Sequence, residues 1–125
     1  MAKGIIIKES LKDNIIPYED AIGIQLEYEH LLGGTEKVHV IRTETPNDIL
    51  DQVIGELSKA IRSYGFYCHF VDDPFIHVVF HNCVYTIEKG NKDTFVKCRE
   101  IGKIFGIPEE QMKFEKMFEK DHPNE

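Results

Sequence analysis

The 125-residue chain contains no tryptophan, 15 basic residues against 22 acidic ones, and three cysteines, at positions 68, 83 and 98. The shortage of cationic charge leaves a formal net charge of −7 and a pI near 5.3. That balance argues against binding nucleic acid or an anionic membrane through bulk electrostatics. The cysteines form no CxxC pair and are too sparse to staple a small secreted domain, so reduced thiols in a cytoplasmic protein are expected. The start, MAKGIIIKES, offers only Ile5-Ile6-Ile7 as an apolar run, too short for a signal peptide or a membrane span. Long-period repeats and low-complexity segments are also missing. What remains is an ordinary globular composition, 42% hydrophobic and 30% charged. Its length supports one core, so residues 1–125 are expected to form a single domain with a flexible tail from about residue 120.

The richest stretch is residues 66–88, FYCHFVDDPFIHVVFHNCVYTIE. Three runs of aromatic and β-branched residues are separated by Asp72-Asp73-Pro74 and by His81-Asn82, a pattern that predicts a three-stranded antiparallel meander. A first turn centred on Asp72-Asp73 sets Phe70 opposite Phe75, Cys68 opposite His77 and Phe66 opposite Val79. A second, centred on His81-Asn82, sets His77 opposite Thr86 and Val79 opposite Val84. The two-residue period then sorts the meander into faces. Tyr67, His69, Val71, Ile76, Val78, Phe80, Cys83, Tyr85 and Ile87 share one; Phe66, Cys68, Phe70, Phe75, His77, Val79, Val84, Thr86 and Glu88 share the other. Neither is polar enough to face water, so both need a cover.

Elsewhere the elements are simpler. Residues 4–8 suit a short strand. Ile22, Ile24, Leu26 and Tyr28 alternate with Gly23, Gln25, Glu27 and Glu29, the pattern of a strand with one buried and one wet face. Gly33-Gly34 supplies a reversal into a partner strand at residues 37–43. A two-residue turn would set His39 and Ile41 beside Tyr28 and Leu26, an odd-length loop Val38 and Val40. Thr45-Pro46-Asn47-Asp48 resembles a capped helix start, and the apolar stripe from Ile49 to Tyr64 extends that helix to Gly65. A second helix presents Phe95, Cys98, Ile101, Gly102 and Phe105 on one side. A third is expected over residues 108–119, with Met112, Phe114, Met117 and Phe118 imperfectly aligned.

Candidate chemistry is thin. Cys68, His69, His77, His81 and Cys83 have side chains suited to a transition metal, but residues four apart on a strand are separated by roughly 13 Å, so no metal is expected. Cys68 beside His77 is the one close pair, and with Thr86 it makes a weak candidate for nucleophilic catalysis. Packed cysteine and hydrogen-bonded histidine is the simpler reading. Asp72-Asp73 and the group Glu27, Glu29 and Glu36 fit a turn and a wet strand face. REIGKIFGIPEEQMKFEKM resembles a helix-turn-helix, with Gly102, Gly106 and Met112 in the diagnostic places. The resemblance would make residues 108–119 a recognition helix, yet its glutamates outnumber its lysines, and an αα-hairpin packed on the core is the better reading.

The resulting expectation is an α+β domain in the order (β)ββαβββαα. An antiparallel sheet of five or six strands carries one long helix and a C-terminal helix pair, with a ferredoxin-like or other split arrangement as the alternative. No cofactor is expected. The favoured function is a non-enzymatic binding or protein-interaction module, with a homodimer or another protein as partner and Phe66, Phe70, Phe75, Val79 and Val84 as the interaction face. The alternatives are a small enzyme or ligand-binding protein with a cleft near Cys68 and His77, and a nucleic-acid-associated protein using the C-terminal pair.

Overall fold

Hydrogen-bonding capacity at both edges of a strand makes the N-terminal segment the centre of the molecule. In the computed structural model, which describes residues 1–32 and 34–119, β1 (Ala2–Ile7) is paired on both sides. The predicted tail lies outside the described residues, as does Gly33 of the predicted turn. β2 (Ile24–Leu32) and β3 (Glu36–Thr45) form a hairpin, followed by α1 (Leu50–Ala60), the meander β4 (Cys68–Asp72), β5 (Phe75–Phe80) and β6 (Cys83–Glu88), and α2 (Lys92–Ile104). The six strands lie in the order β2-β3-β1-β4-β5-β6, every neighbouring pair antiparallel. The expected α+β class is thus present, the element order matches as far as α2, and the sheet is not split.

Both sheet faces are covered along the meander, by different elements. Cys68, Phe70 and Val79 join Ile6 and Ile41 beneath Leu50, Val53, Ile54 and Leu57 of α1. On the opposite face Ile76, Val78, Phe80 and Ile87 pack with Phe95 and Cys98 of α2 and with Ile107, Met112, Phe114 and Met117. A third cluster of Ile5, Val38 and Val40, with Ile7 and Tyr28, sits on the α2 side of the β1–β3–β2 half. Burial on this scale, at roughly 1.5–3 kcal/mol for each large apolar side chain, dominates the stabilisation of such a domain.

Four details differ from expectation. The first meander turn is centred one residue later, on Asp73-Pro74, so Cys68 faces Val79 and Phe70 faces His77. A shift of two in the pairing keeps every side chain on its predicted face, and the second turn has the predicted register. α1 starts later than its cap pattern suggests because Thr45 is used elsewhere: its hydroxyl donates to the Ile22 carbonyl at 2.7 Å. Residues 46–49 instead close three-residue turns, Ile49 N–H on Pro46 and Leu50 N–H on Asn47. The helix ends early because Ile61 turns extended and bridges to Leu11.

The third difference is in residues 108–119, where no third α-helix forms among the described residues. Residues 109–111 and 114–116 are single 3₁₀ turns. A continuous helix would spread Met112, Phe114 and Met117 around its circumference, whereas broken turns let all three reach the core. The Tyr67 hydroxyl donates to the Gln111 carbonyl between those turns. Met112 lies against Gly102, where any Cβ would overlap its sulfur. The helix-turn-helix resemblance therefore fails at its second helix.

The fourth is a bulge in β2. Ile24 pairs with Thr43 but Leu26 with Arg42, leaving Gln25 as an extra residue. The bulge puts Ile24 on the α1 face and Leu26 and Tyr28 on the α2 face, so the predicted single apolar face of this strand is divided. The β2–β3 loop is odd in length, and Val40 and Val38 accordingly face Tyr28 and His30.

Candidate functional site

The predicted Cys68–His77–Thr86 row does not assemble as a reacting group. Cys68 is buried beneath α1, and burial pushes its thiol up to about 12, far from the thiolate that nucleophilic catalysis needs. His77 is half-buried. Its Nδ1 is hydrogen-bonded to Thr86 Oγ1 at 3.0 Å, and its ring stacks on Phe75 with centroids 6.5 Å apart. Burial lowers its pKa against the opposing pull of Asp72 and Asp51.

His81 has a structural task. Its Nδ1 donates to the Ile61 carbonyl at 2.9 Å and Nε2 meets Asn82 Nδ2 at 3.2 Å, tying the β5–β6 turn to the end of α1. Ser58 adds a hydroxyl bond to the Phe80 carbonyl. Among the described residues no three His, Cys, Asp or Glu side chains converge in a way that could hold a metal ion.

The predicted interaction face is divided in the same way. Phe70 and Val79 are fully buried and Phe66 packs against the same cluster, so these three are core. Only Phe75 and Val84 remain in water, 36% and 42% exposed. The reasoning that required a second subunit to cover this whole face loses its premise, because α1 covers it.

The longer of the two sheet edges among the described residues is instead at the other end, at β2. β2 is nine residues long and pairs only with β3 among the described residues, so one row of its backbone groups has no strand beside it. Ile24, Leu26 and Leu31 are 38%, 48% and 57% exposed. Long edge strands with exposed apolar side chains are templates for adding another strand. Beside the bulge, Gln25, Leu26, Arg42 and Lys3 help line a cavity of about 210 Å³. Glu27 and Glu29 alternate along the α1 face of the same strand.

A polar cluster stiffens this edge. Glu9, in the 3₁₀ turn after β1, accepts the His39 backbone N–H at 2.7 Å through one oxygen and the His39 Nδ1 at 2.6 Å through the other. The ring must donate there, since a carboxylate only accepts. His39 Nε2 lies 3.7 Å from Glu29, which Lys37 also holds at 2.9 Å, and Lys8 lies 3.8 Å from Glu27. Nothing in the sequence marks Glu9 and His39 as partners. They are thirty residues apart, and the pairing depends on β1 lying beside β3.

No family model, curated protein or solved structure matches the chain. The reading of the β2 edge accordingly stands on its geometry. No helix among the described residues is long and apolar enough to cross a membrane, and Cys68, Cys83 and Cys98 are free thiols.

The Glu9 cluster gives a first prediction. Burial pushes the Glu9 pKa up, but the hydrogen bonds from His39 backbone and ring outweigh it and the net shift is downward. A depressed carboxyl pKa contributes stability that is fully present above its unfolded value of 4.5 and is lost as pH falls through the lower folded value. Glu9→Gln is therefore expected to cost about 1–2 kcal/mol at pH 7 and to flatten the acid limb of the stability curve. Urea unfolding of both proteins between pH 7 and pH 3 reads this, and parallel curves would refute it.

Proposed function

We propose that the protein is a small intracellular, non-enzymatic interaction module whose β2 edge accepts an extended segment of a partner protein. The observation that carries this is the nine-residue edge strand with Ile24, Leu26 and Leu31 exposed along it. Main-chain pairing would supply affinity, and side chains on alternate faces would supply specificity. On the α1 face the partner meets Glu27 and Glu29; on the α2 face it meets Leu26 and the cavity beside it. The segment that fits alternates cationic with apolar residues.

A second copy of the same strand fits poorly. Two-fold antiparallel pairing of β2 with itself, centred on residue 27, 28 or 29, sets Glu27 or Glu29 opposite a glutamate each time, and like charges directly opposite destabilise a strand pair. The favoured partner is therefore a different chain, and the protein alone is expected to be monomeric.

The test is fluorescence anisotropy with a labelled peptide of about seven alternating lysines and valines, within the usual length of a strand. Saturable binding is expected, weakened about tenfold by Glu27→Lys with Glu29→Lys and weakened again by added salt. Amide chemical-shift changes should cluster in residues 24–32. Affinity indifferent to the charge reversal, or shifts clustered elsewhere, would refute the proposal.

A further inference from the structure

A second cavity, remote in sequence from the β2 edge, has a different chemistry. It has a volume of about 490 Å³, and its lining includes Phe95, Val96 and Phe118 together with Lys89, Lys92 and Arg99. Small-molecule sites typically span roughly 300–1,000 Å³ and combine apolar walls with a few placed polar groups. Val96, which shares this lining, is 49% exposed, so an apolar wall is open to solvent on a structured helix. Glu115 and Glu119 also contribute, yet Glu115 is engaged by Arg99 at 2.5 Å. Lys89 stands 5.1 Å over the Phe118 ring and 3.3 Å from Asp73. With Arg99 on Glu115 and Lys89 on Asp73, Lys92 is the lining cation that no carboxylate engages among the described residues.

We infer that this cavity binds a small amphipathic monoanion, an apolar chain or ring ending in a carboxylate. The apolar part lies against Phe95, Val96 and Phe118, and the anionic head is held by Lys92, with Lys89 shared between it and Asp73. A polyanion is disfavoured, because Arg99 is already committed to Glu115, Lys89 is paired with Asp73, and the remaining lining carries Glu119. A neutral amphiphile would leave Lys92 without a role in binding. The site does not depend on the peptide reading of β2, since none of its lining residues belongs to that edge.

Titration with decanoate, followed by calorimetry and by amide chemical shifts, tests the assignment. Saturable binding is expected with shifts at Val96 and Phe118, and decanol should bind more weakly. Lys89→Glu with Lys92→Glu is expected to reduce decanoate affinity about tenfold, the effect of reversing charges that face an anion. Val96→Trp, which fills the cavity from an exposed position, should abolish binding while the circular dichroism spectrum stays unchanged. Absence of saturable binding at about 1 mM, an affinity of only roughly 4 kcal/mol, would overturn the inference. So would decanoate binding that survives Val96→Trp or is matched by decanol. The variant Glu27→Lys with Glu29→Lys should bind decanoate normally, which separates failure here from failure at the strand edge.

Discussion

Phe70→Ala is expected to lower the unfolding free energy by about 3–5 kcal/mol, the range for removing a fully enclosed phenylalanine. The ring is completely buried in the cluster beneath α1, and it also fills the space above Gly4, its cross-strand partner on β1. A Cβ on Gly4 would overlap both the Phe70 ring and Thr43 Oγ1. Removing the ring therefore empties a site bounded by β1 and α1 that neither element can close without moving the other. Phe75→Asp, on the same face but 36% exposed, is expected to cost about 1 kcal/mol at most. Urea denaturation of the two variants measures the contrast, and equal losses would show that Phe75 belongs to the core after all.

Gly23→Ala should be nearly as damaging, by about 3 kcal/mol, for a reason located in the backbone. Gly23 has φ +80, and a Cβ there would overlap the Glu44 carbonyl oxygen. The Glu44 N–H donates to the Gly23 carbonyl at 2.9 Å, so the two main chains cannot separate without losing that bond. The Thr45 hydroxyl bond to Ile22 is adjacent. Hydrogen exchange is expected to accelerate first in β2 and the end of β3, while the amides of β5 remain protected. Uniform acceleration across the sheet would instead mean that the hairpin and meander unfold as one unit.

The legibility of this chain follows the range of the interactions concerned. The meander was readable because its faces depend on the parity of the pairing, which survives a turn misplaced by one residue: Cys68 and His77 kept their face while losing each other as neighbours. α2 was readable because Phe95, Cys98 and Gly102 meet one surface at helical spacing. The true start of α1 was hidden because Thr45, a good helix cap by its type, is claimed by Ile22 across the sheet. The last segment misled because helix propensity is weaker than the demand that Met112, Phe114 and Met117 all be buried. For the candidate site, the glutamates of β2 were visible as an alternating row. Their setting was not, because the bulge at Gln25 and the Glu9–His39 contact both arise from strand pairing.

The position of β1 also has a consequence for how the chain assembles. The hairpin of β2 and β3 and the meander of β4 to β6 are local units of a kind that form on the microsecond scale. Among the described residues their strands are joined into one sheet only through β1, where Gly4 pairs with Thr43 on one side and Phe70 on the other. β1, the first of these strands in chain order, is thus the last to find both its neighbours, and joining the halves carries the loop-closure cost that slows folding. A chain in which β1 slips from its slot would expose two fresh strand edges at once, on β3 and on β4, and would be most prone to aggregate at that moment.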